Sequence, residues 1–255
     1  MRLTLLLLVL ALGSCAPKKV ELKKGFWRGV IDLQGQQLPF NFEVTQESEK
    51  YKVYLMNGEE KLLQDEISIV GDSVKIVMLI FDIELRARIG ENSLQGFYYK
   101  NYDKDFKLPF SASYGDDFRF VKKEPSTKDF SGTYALNFKS EIETYPSVAI
   151  FKQKLNHVTG TFLTPTGDYR YLEGNVVDEK LMLSTFDGNH AFLFTATMSG
   201  DSIQGDFYSG NVSHETWKGI KDENATMPDA ELATLAEAAE PGQRLEPAGM
   251  RHHRR

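Results

Sequence analysis

The chain has 255 residues, 41% of them apolar and 26% charged, enough for one or two domains with full cores and unlike a disordered protein. Five basic residues and one acidic residue lie in 1–24 and four of each in 230–255, so the formal charge of −6 leaves 25–229 with −10. A body this acidic is a poor partner for nucleic acid or for anionic lipid headgroups.

The first residues read as an address. Met1-Arg2 is a short positive start, Leu3 to Leu12 is an apolar run, and Leu12-Gly13-Ser14-Cys15 follows. The run is shorter than the roughly 20 apolar residues that a bilayer-spanning helix needs, but it fits a secretory h-region. Leu-Gly-Ser-Cys at this place resembles the lipobox of bacterial lipoproteins. The resemblance implies a signal peptide over 1–14, a lipidated Cys15 as the mature N-terminus, and a membrane partner held through that lipid. Lys18, Lys19, Lys23 and Lys24 then lie in a solvated tether, 15–24, and Ala16 favours the outer membrane, facing the periplasm. Cys15 is the only cysteine in the chain. Its acylation would leave no thiol for a disulfide, a metal or catalysis.

From Gly25 the pattern has period two. Phe26–Leu33 and Leu38–Val44, joined by Gln34-Gly35-Gln36-Gln37, predict a hairpin, and further strands are predicted over Tyr51–Met56, Asp65–Val70, Ser73–Leu79, Ile83–Ile89, Leu94–Tyr99 and Phe106–Ala112. Turn residues such as Asn57-Gly58 and Gly71-Asp72 separate them. The polar segment Lys122 to Lys128 contains Pro125 and is predicted to be a linker between a first β unit, 25–121, and a second, 129–229. The second unit is predicted to place strands at Ser147–Gln153, His157–Leu163, Tyr169–Glu173, Lys180–Ser184, Ala191–Met198, Ile203–Tyr208 and His214–Ile220.

The two units echo each other. Asn92-Ser93-Leu94-Gln95-Gly96-Phe97-Tyr98-Tyr99 returns as Asp201-Ser202-Ile203-Gln204-Gly205-Asp206-Phe207-Tyr208, each copy following a turn, and Phe81-Asp82 returns as Phe186-Asp187. At the unit openings the letters align Trp27 with Phe130 and Gly29 with Gly132. A meander of short strands must hide its edges, so the expected fold is all-β: two tandem antiparallel meander units, small barrels or curled sandwiches, behind a lipoprotein signal peptide. One continuous larger β structure is the alternative. After Asp229 the composition shifts: seven alanines fall in 25–229 but six in 230–255, which ends in Arg251-His252-His253-Arg254-Arg255. That tail reads as poorly ordered or frameshifted.

Chemistry is sparse. His157, His190 and His214 lack the close spacing of metal ligands, and no metal or cofactor is implied. Asp82 and Glu84 share a face if Phe81–Arg86 is a strand, which could form a paired-carboxylate acid/base site. Arg86 and Arg88 continue that face, and a solvent-facing ion-pair ladder is the better reading. No nucleophile elbow, phosphate loop or dinucleotide fingerprint occurs, and no catalytic residue is assigned. Phe97, Tyr98, Tyr99, Tyr102 and Phe106 form the densest aromatic cluster. Phe97, Tyr98, Tyr99 and Tyr102 are the candidate ligand-binding residues, a stacking surface at a barrel mouth. Alternation also requires that some of them face a core.

Taken with the lipobox, several stretches resemble the N-terminal β-rich region of bacterial TlpA-like thiol:disulfide oxidoreductase lipoproteins: Trp27-Arg28-Gly29, Leu38-Pro39-Phe40-Asn41-Phe42, Phe81 to Ala87, Pro109-Phe110-Ser111-Ala112 and Phe130-Ser131-Gly132. In that family a thioredoxin-like domain with a Cys-x-x-Cys pair carries the redox chemistry, and this chain has neither. The resemblance therefore implies a lipid-anchored, non-catalytic module of the cell envelope that binds or positions a protein client or redox partner. A lipocalin-like carrier of a small apolar ligand is the alternative reading.

Overall fold

The computed structural model describes residues 21–169 and 171–228. Cys15 and the signal peptide, and the tail beyond Pro228, lie outside the described residues. Nine strands form the first sheet: β1 (Gly25–Leu33), β2 (Gln36–Glu47), β3 (Lys50–Asn57), β4 (Glu60–Gln64), β5 (Glu66–Val70), β6 (Ser73–Met78), β7 (Ile83–Ile89), β8 (Ser93–Lys100) and β9 (Lys107–Tyr114). Nine more form the second: β10 (Gly132–Lys139), β11 (Thr144–Lys154), β12 (His157–Thr164), β13 (Gly167–Asp168), β14 (Leu172–Val177), β15 (Lys180–Phe186), β16 (Ala191–Ser199), β17 (Ser202–Ser209) and β18 (Ser213–Lys221). The fold is all-β, two tandem antiparallel meanders curled into barrels.

Closure differs between the two. The first sheet runs β4-β3-β2-β1-β9-β8-β7-β6-β5, and among the described residues no ladder joins β4 to β5. In the second, β11 pairs with both β10 and β12, so the hydrogen-bonded ring is complete. Alternation drives both. Along β7 the side chains of Ile83, Leu85, Ala87 and Ile89 are buried while Arg86 and Arg88 are exposed, as expected for a strand with one wet face.

The interiors are filled with rings. In the second barrel Phe162, Phe194 and Phe207 stack, with centroids 4.6 Å and 4.4 Å apart, and Phe138 and Trp217, stacked on each other at 6.1 Å, meet Phe162 edge-on at 5.3 and 5.1 Å. The space a lipocalin-like carrier needs for its ligand is thus occupied by side chains, a correction to that alternative. The first core is built on Trp27, Phe40, Phe42 and Phe110, and it continues into Phe186, Ala191 and Leu193 of the second unit. Phe40 and Phe186 meet at 4.4 Å.

The two sheets share one strand order, but their register at the unit openings differs from the letters. β8 and β17 occupy the same place, between β9 and β7 and between β18 and β16, and Gly96 and Gly205 both face an alanine, Ala87 and Ala196. A Cβ at either glycine would overlap a backbone carbonyl, of Arg86 or of Thr195. At the openings Gly25 matches Gly132, with φ of 124° and 126°. Trp27 Nε1 donates to the Lys23 carbonyl at 2.9 Å, and the Tyr134 hydroxyl donates to the Phe130 carbonyl at 3.1 Å. Trp27 therefore corresponds to Tyr134 and not to Phe130. The aromatic-x-Gly letters misled because the equivalent roles, a left-handed glycine and a side chain bonded four residues back, are filled by different residue types.

The strandless stretch 115–131 joins the barrels. It runs back along the first one, where Asn41 Nδ2 donates to the Phe118 carbonyl at 3.2 Å and Arg28 Nε to the Arg119 carbonyl at 2.7 Å. The expected linker 122–128 lies inside it and is bonded to the second barrel. Asn156 Nδ2 donates to the Lys122 carbonyl at 3.0 Å, the Asn156 N–H donates to the Glu124 carbonyl at 2.9 Å, and the Glu124 N–H donates to Asn156 Oδ1 at 3.1 Å.

Candidate functional site

The predicted aromatic cluster is split by strand alternation. Tyr98 points inward, fully buried, edge-on to Phe106 and Phe186, and its hydroxyl donates to the Gly188 carbonyl at 2.8 Å. Burial pushes its phenol pKa far above the ordinary value. As a ligand-stacking residue Tyr98 is a correction: it is part of the core where the barrels meet. Phe97 and Tyr99 point outward, 6.2 Å apart, on the wet face of β8. Lys107 on β9 sets its ammonium 3.8 Å from the Phe97 centroid, and Arg86 on β7 lies 4.7 Å from that of Tyr99. Tyr102 sits apart, in the β8–β9 loop, 60% exposed, with its hydroxyl 3.3 Å from Asn189 Oδ1 of the second barrel.

The carboxylates expected beside this face are also divided. Asp82 precedes β7 with φ of 51° and binds Asn101 at 3.0 Å, so it does not share the strand face with Glu84. Glu84 is nearly buried, hydrogen-bonded by Arg86, with Lys75 Nζ 3.7 Å away. Burial pushes its carboxyl up, but the Arg86 bond and charge, with help from Asn101 and Lys75, outweigh it and hold the carboxyl below the usual range. Arg88 pairs instead with Asp72 at 2.6 Å. A paired-carboxylate acid/base site does not form. What forms is a solvent-side row in which cations alternate with rings.

A second polar constellation lies at the junction, and nothing local in the sequence marks it. Arg119, from the connecting stretch, is fully buried; its Nη2 donates to the Met56 carbonyl at 2.8 Å and to Glu173 Oε2 at 2.9 Å. Glu173 also accepts the Gly58 N–H at 2.9 Å, and its other oxygen lies 2.9 Å from His157 Nε2. Burial alone would push the Glu173 carboxyl up. The His157 bond, the Arg119 charge and the Gly58 N–H outweigh it and hold the group down to about 2. Around this lock Asn57 exchanges two bonds with the Phe186 backbone, at 3.0 and 3.2 Å, and Ser184 donates to the Pro39 carbonyl at 2.6 Å. His157 and Glu173 line an open groove of about 1010 Å³ between the barrels.

His157, His190 and His214 each lie 2.9 Å from a different carboxylate: Glu173, Asp187 and Asp206. Among the described residues no group of three metal-ligating side chains occurs. Asp187 is buried, which pushes its carboxyl up, but bonds from the His190 ring and backbone hold it below the usual range. Apart from Arg119 Nε, which is buried without a hydrogen-bond partner among the described residues, these junction groups bond to one another, so the constellation fastens the barrels together. The outward Phe97–Tyr99 row, with Lys107 and Arg86, faces solvent instead.

No protein-family model matches the chain, and no curated protein matches it. Among solved structures it is similar to a protein of unknown function from the DUF3598 family of Nostoc punctiforme, at 11% identity and a TM-score of 0.29, covering 78% of this chain and 96% of that one. It is also similar to HpuA from Kingella denitrificans, solved in complex with human haemoglobin, at 11% identity and a TM-score of 0.29, covering 84% of this chain and 92% of that one. Likeness at that level does not bear on function.

Proposed function

We propose that this chain is a non-catalytic binding or positioning module of the cell envelope, held to the membrane through Cys15, whose contact face is the Phe97–Tyr99 row. One observation carries the reading: an exposed phenylalanine with a lysine ammonium 3.8 Å from its centroid, on a strand that a buried core holds rigid. Exposed rings paired with cations on a fixed sheet are the anchors that protein interfaces concentrate their energy on. The single cysteine is consistent with this, since no thiol pair can form within the chain. The lipobox and the resemblance to TlpA-like lipoproteins supply the setting: the outer membrane on its periplasmic side, and a redox client or partner encoded elsewhere. The aromatic-filled interiors weigh against the carrier alternative.

Two measurements test the proposal. Mass spectrometry of the protein from its native envelope is expected to find lipid on Cys15, and an unmodified leader would remove the anchor. A photo-crosslinking amino acid at Phe97 is expected to trap one discrete envelope protein in intact cells, and the product to vanish when Tyr99→Ala and Lys107→Glu are added. Equal trapping from a probe at Ile142, exposed in the β10–β11 turn of the second barrel, would overturn the assignment of the surface.

A further inference from the structure

The face of the second barrel that corresponds to the Phe97 row carries a different chemistry. By register Gln95, Phe97 and Tyr99 of β8 match Gln204, Asp206 and Tyr208 of β17, and Pro109 and Ser111 of β9 match Thr216 and Lys218 of β18. The second face keeps a ring at Tyr208, stacked on His214 at 4.6 Å, but where the first has Phe97 and its neighbours it carries hydroxyls, amides and cations.

Two cross-strand rows build this face. Asn137, Lys218, Gln204 and Thr197 stand side by side across β10, β18, β17 and β16, and the next row is Lys139, Thr216, Asp206 and Thr195. They line a depression of about 770 Å³, with Lys180 on its rim and Trp217, Ala196 and Gly205 beneath. That is a volume typical of small-molecule sites, about 300–1,000 Å³. A second depression of about 1020 Å³ shares Asn137, Thr197, Gln204 and Lys218, so the two form one trough along the face.

The chemistry of the trough is selective. Among the described residues the side chains of Asn137, Thr195, Thr197, Gln204 and Thr216 make no hydrogen bond to protein, leaving donors and acceptors free together. Three lysines, 139, 180 and 218, border the depression in a body whose net charge is −10, and its one carboxylate, Asp206, is engaged by His214 at 2.9 Å. Trp217 is 2% exposed, so the trough has no ring on which a neutral sugar could stack. Neutral hydroxyl and amide groups in rows suit a polyhydroxylated chain, and the lysines suit carboxylates or sulfates along it.

We propose that this trough binds an anionic oligosaccharide. It is a separate surface from the Phe97 row, and its failure would leave that reading untouched. The test is calorimetric titration of the whole protein with an alginate hexasaccharide, a uronate chain, at low salt. Wild type is expected to bind it. Lys139→Glu with Lys218→Glu should weaken binding at least tenfold, Lys139→Arg with Lys218→Arg should retain it, and Thr195→Val with Thr197→Val should weaken it several-fold. All these side chains point to solvent, so each variant is expected to melt within a few degrees of wild type. Absence of binding by wild type would overturn the proposal, as would equal binding of maltohexaose, which carries no charge. Hexaglutamate binding as tightly, and indifferent to the threonine changes, would make the face a generic anion surface and overturn the saccharide assignment.

Discussion

At the scale of single residues, the junction lock is the most consequential feature and the least legible. Arg119 sits in a stretch without periodicity, and its partner Glu173 is 54 positions away, at a strand position where an outward glutamate would be unremarkable. No local pattern joins them; only the way one barrel lies on the other does. The ring cluster was legible as a cluster, while alternation decided its split, sending Tyr98 inward and Phe97 and Tyr99 outward. Glu173→Gln would leave a buried guanidinium without its counter-charge, which costs about 3–5 kcal/mol. The pH dependence has a definite sign. The folded carboxyl titrates at about 2, below its ordinary value of 4.5. Its contribution is therefore complete above pH 4.5 and is lost as pH falls from there toward 2. Urea unfolding of wild type and Glu173→Gln should differ by a constant amount from pH 7 to 5, and the gap should narrow steadily as pH falls from 4.5 toward 2. A gap at pH 2.5 as wide as the one at pH 7 would mean that the charge is not what stabilises the junction.

At the scale of elements, period-two reading found most strands, because a half-buried strand writes its burial directly into alternation. It missed β4, Glu60–Gln64, whose Leu62 and Leu63 are adjacent and break the pattern, and it placed Tyr169–Glu173 where the continuous strand is Leu172–Val177. The duplicated Gln-Gly strand was legible, since a glycine in mid-strand marks a place where backbone approaches closely. The structure supplies the reason at both copies, the carbonyls of Arg86 and Thr195. Gly96→Ala and Gly205→Ala should therefore behave alike, each destabilising by about 1–3 kcal/mol as neighbouring strands shift to admit a methyl group. Thermal unfolding of the two variants measures this. If one is tolerated and the other is not, the two strands are not equivalent in packing, whatever their letters.

At the scale of the whole molecule, two units separated by a polar stretch suggest domains that fold independently, and composition alone carries no contrary sign. The packing argues otherwise. Phe186, Ala191 and Leu193 belong to the second sheet by hydrogen bonding and to the first core by burial. Tyr98, Asn57, Ser184 and Glu173 then bond across the same junction. Neither barrel can open without exposing part of the other's apolar surface, and that coupling predicts one cooperative transition. The chain reports on this by itself, because its two tryptophans are divided: Trp27 is buried in the first barrel and Trp217 in the second. Single-tryptophan proteins, Trp27→Phe and Trp217→Phe, each compared with wild type by far-ultraviolet circular dichroism, isolate the two reports. Within each protein the fluorescence and circular-dichroism curves in urea should coincide. Phe186→Ala, which removes a ring from the shared core at a cost of about 3–5 kcal/mol, should move the Trp27 and Trp217 midpoints down together. A Trp27 transition that moves while Trp217 stays fixed would separate the barrels, and the junction would then be a contact between two independently stable domains.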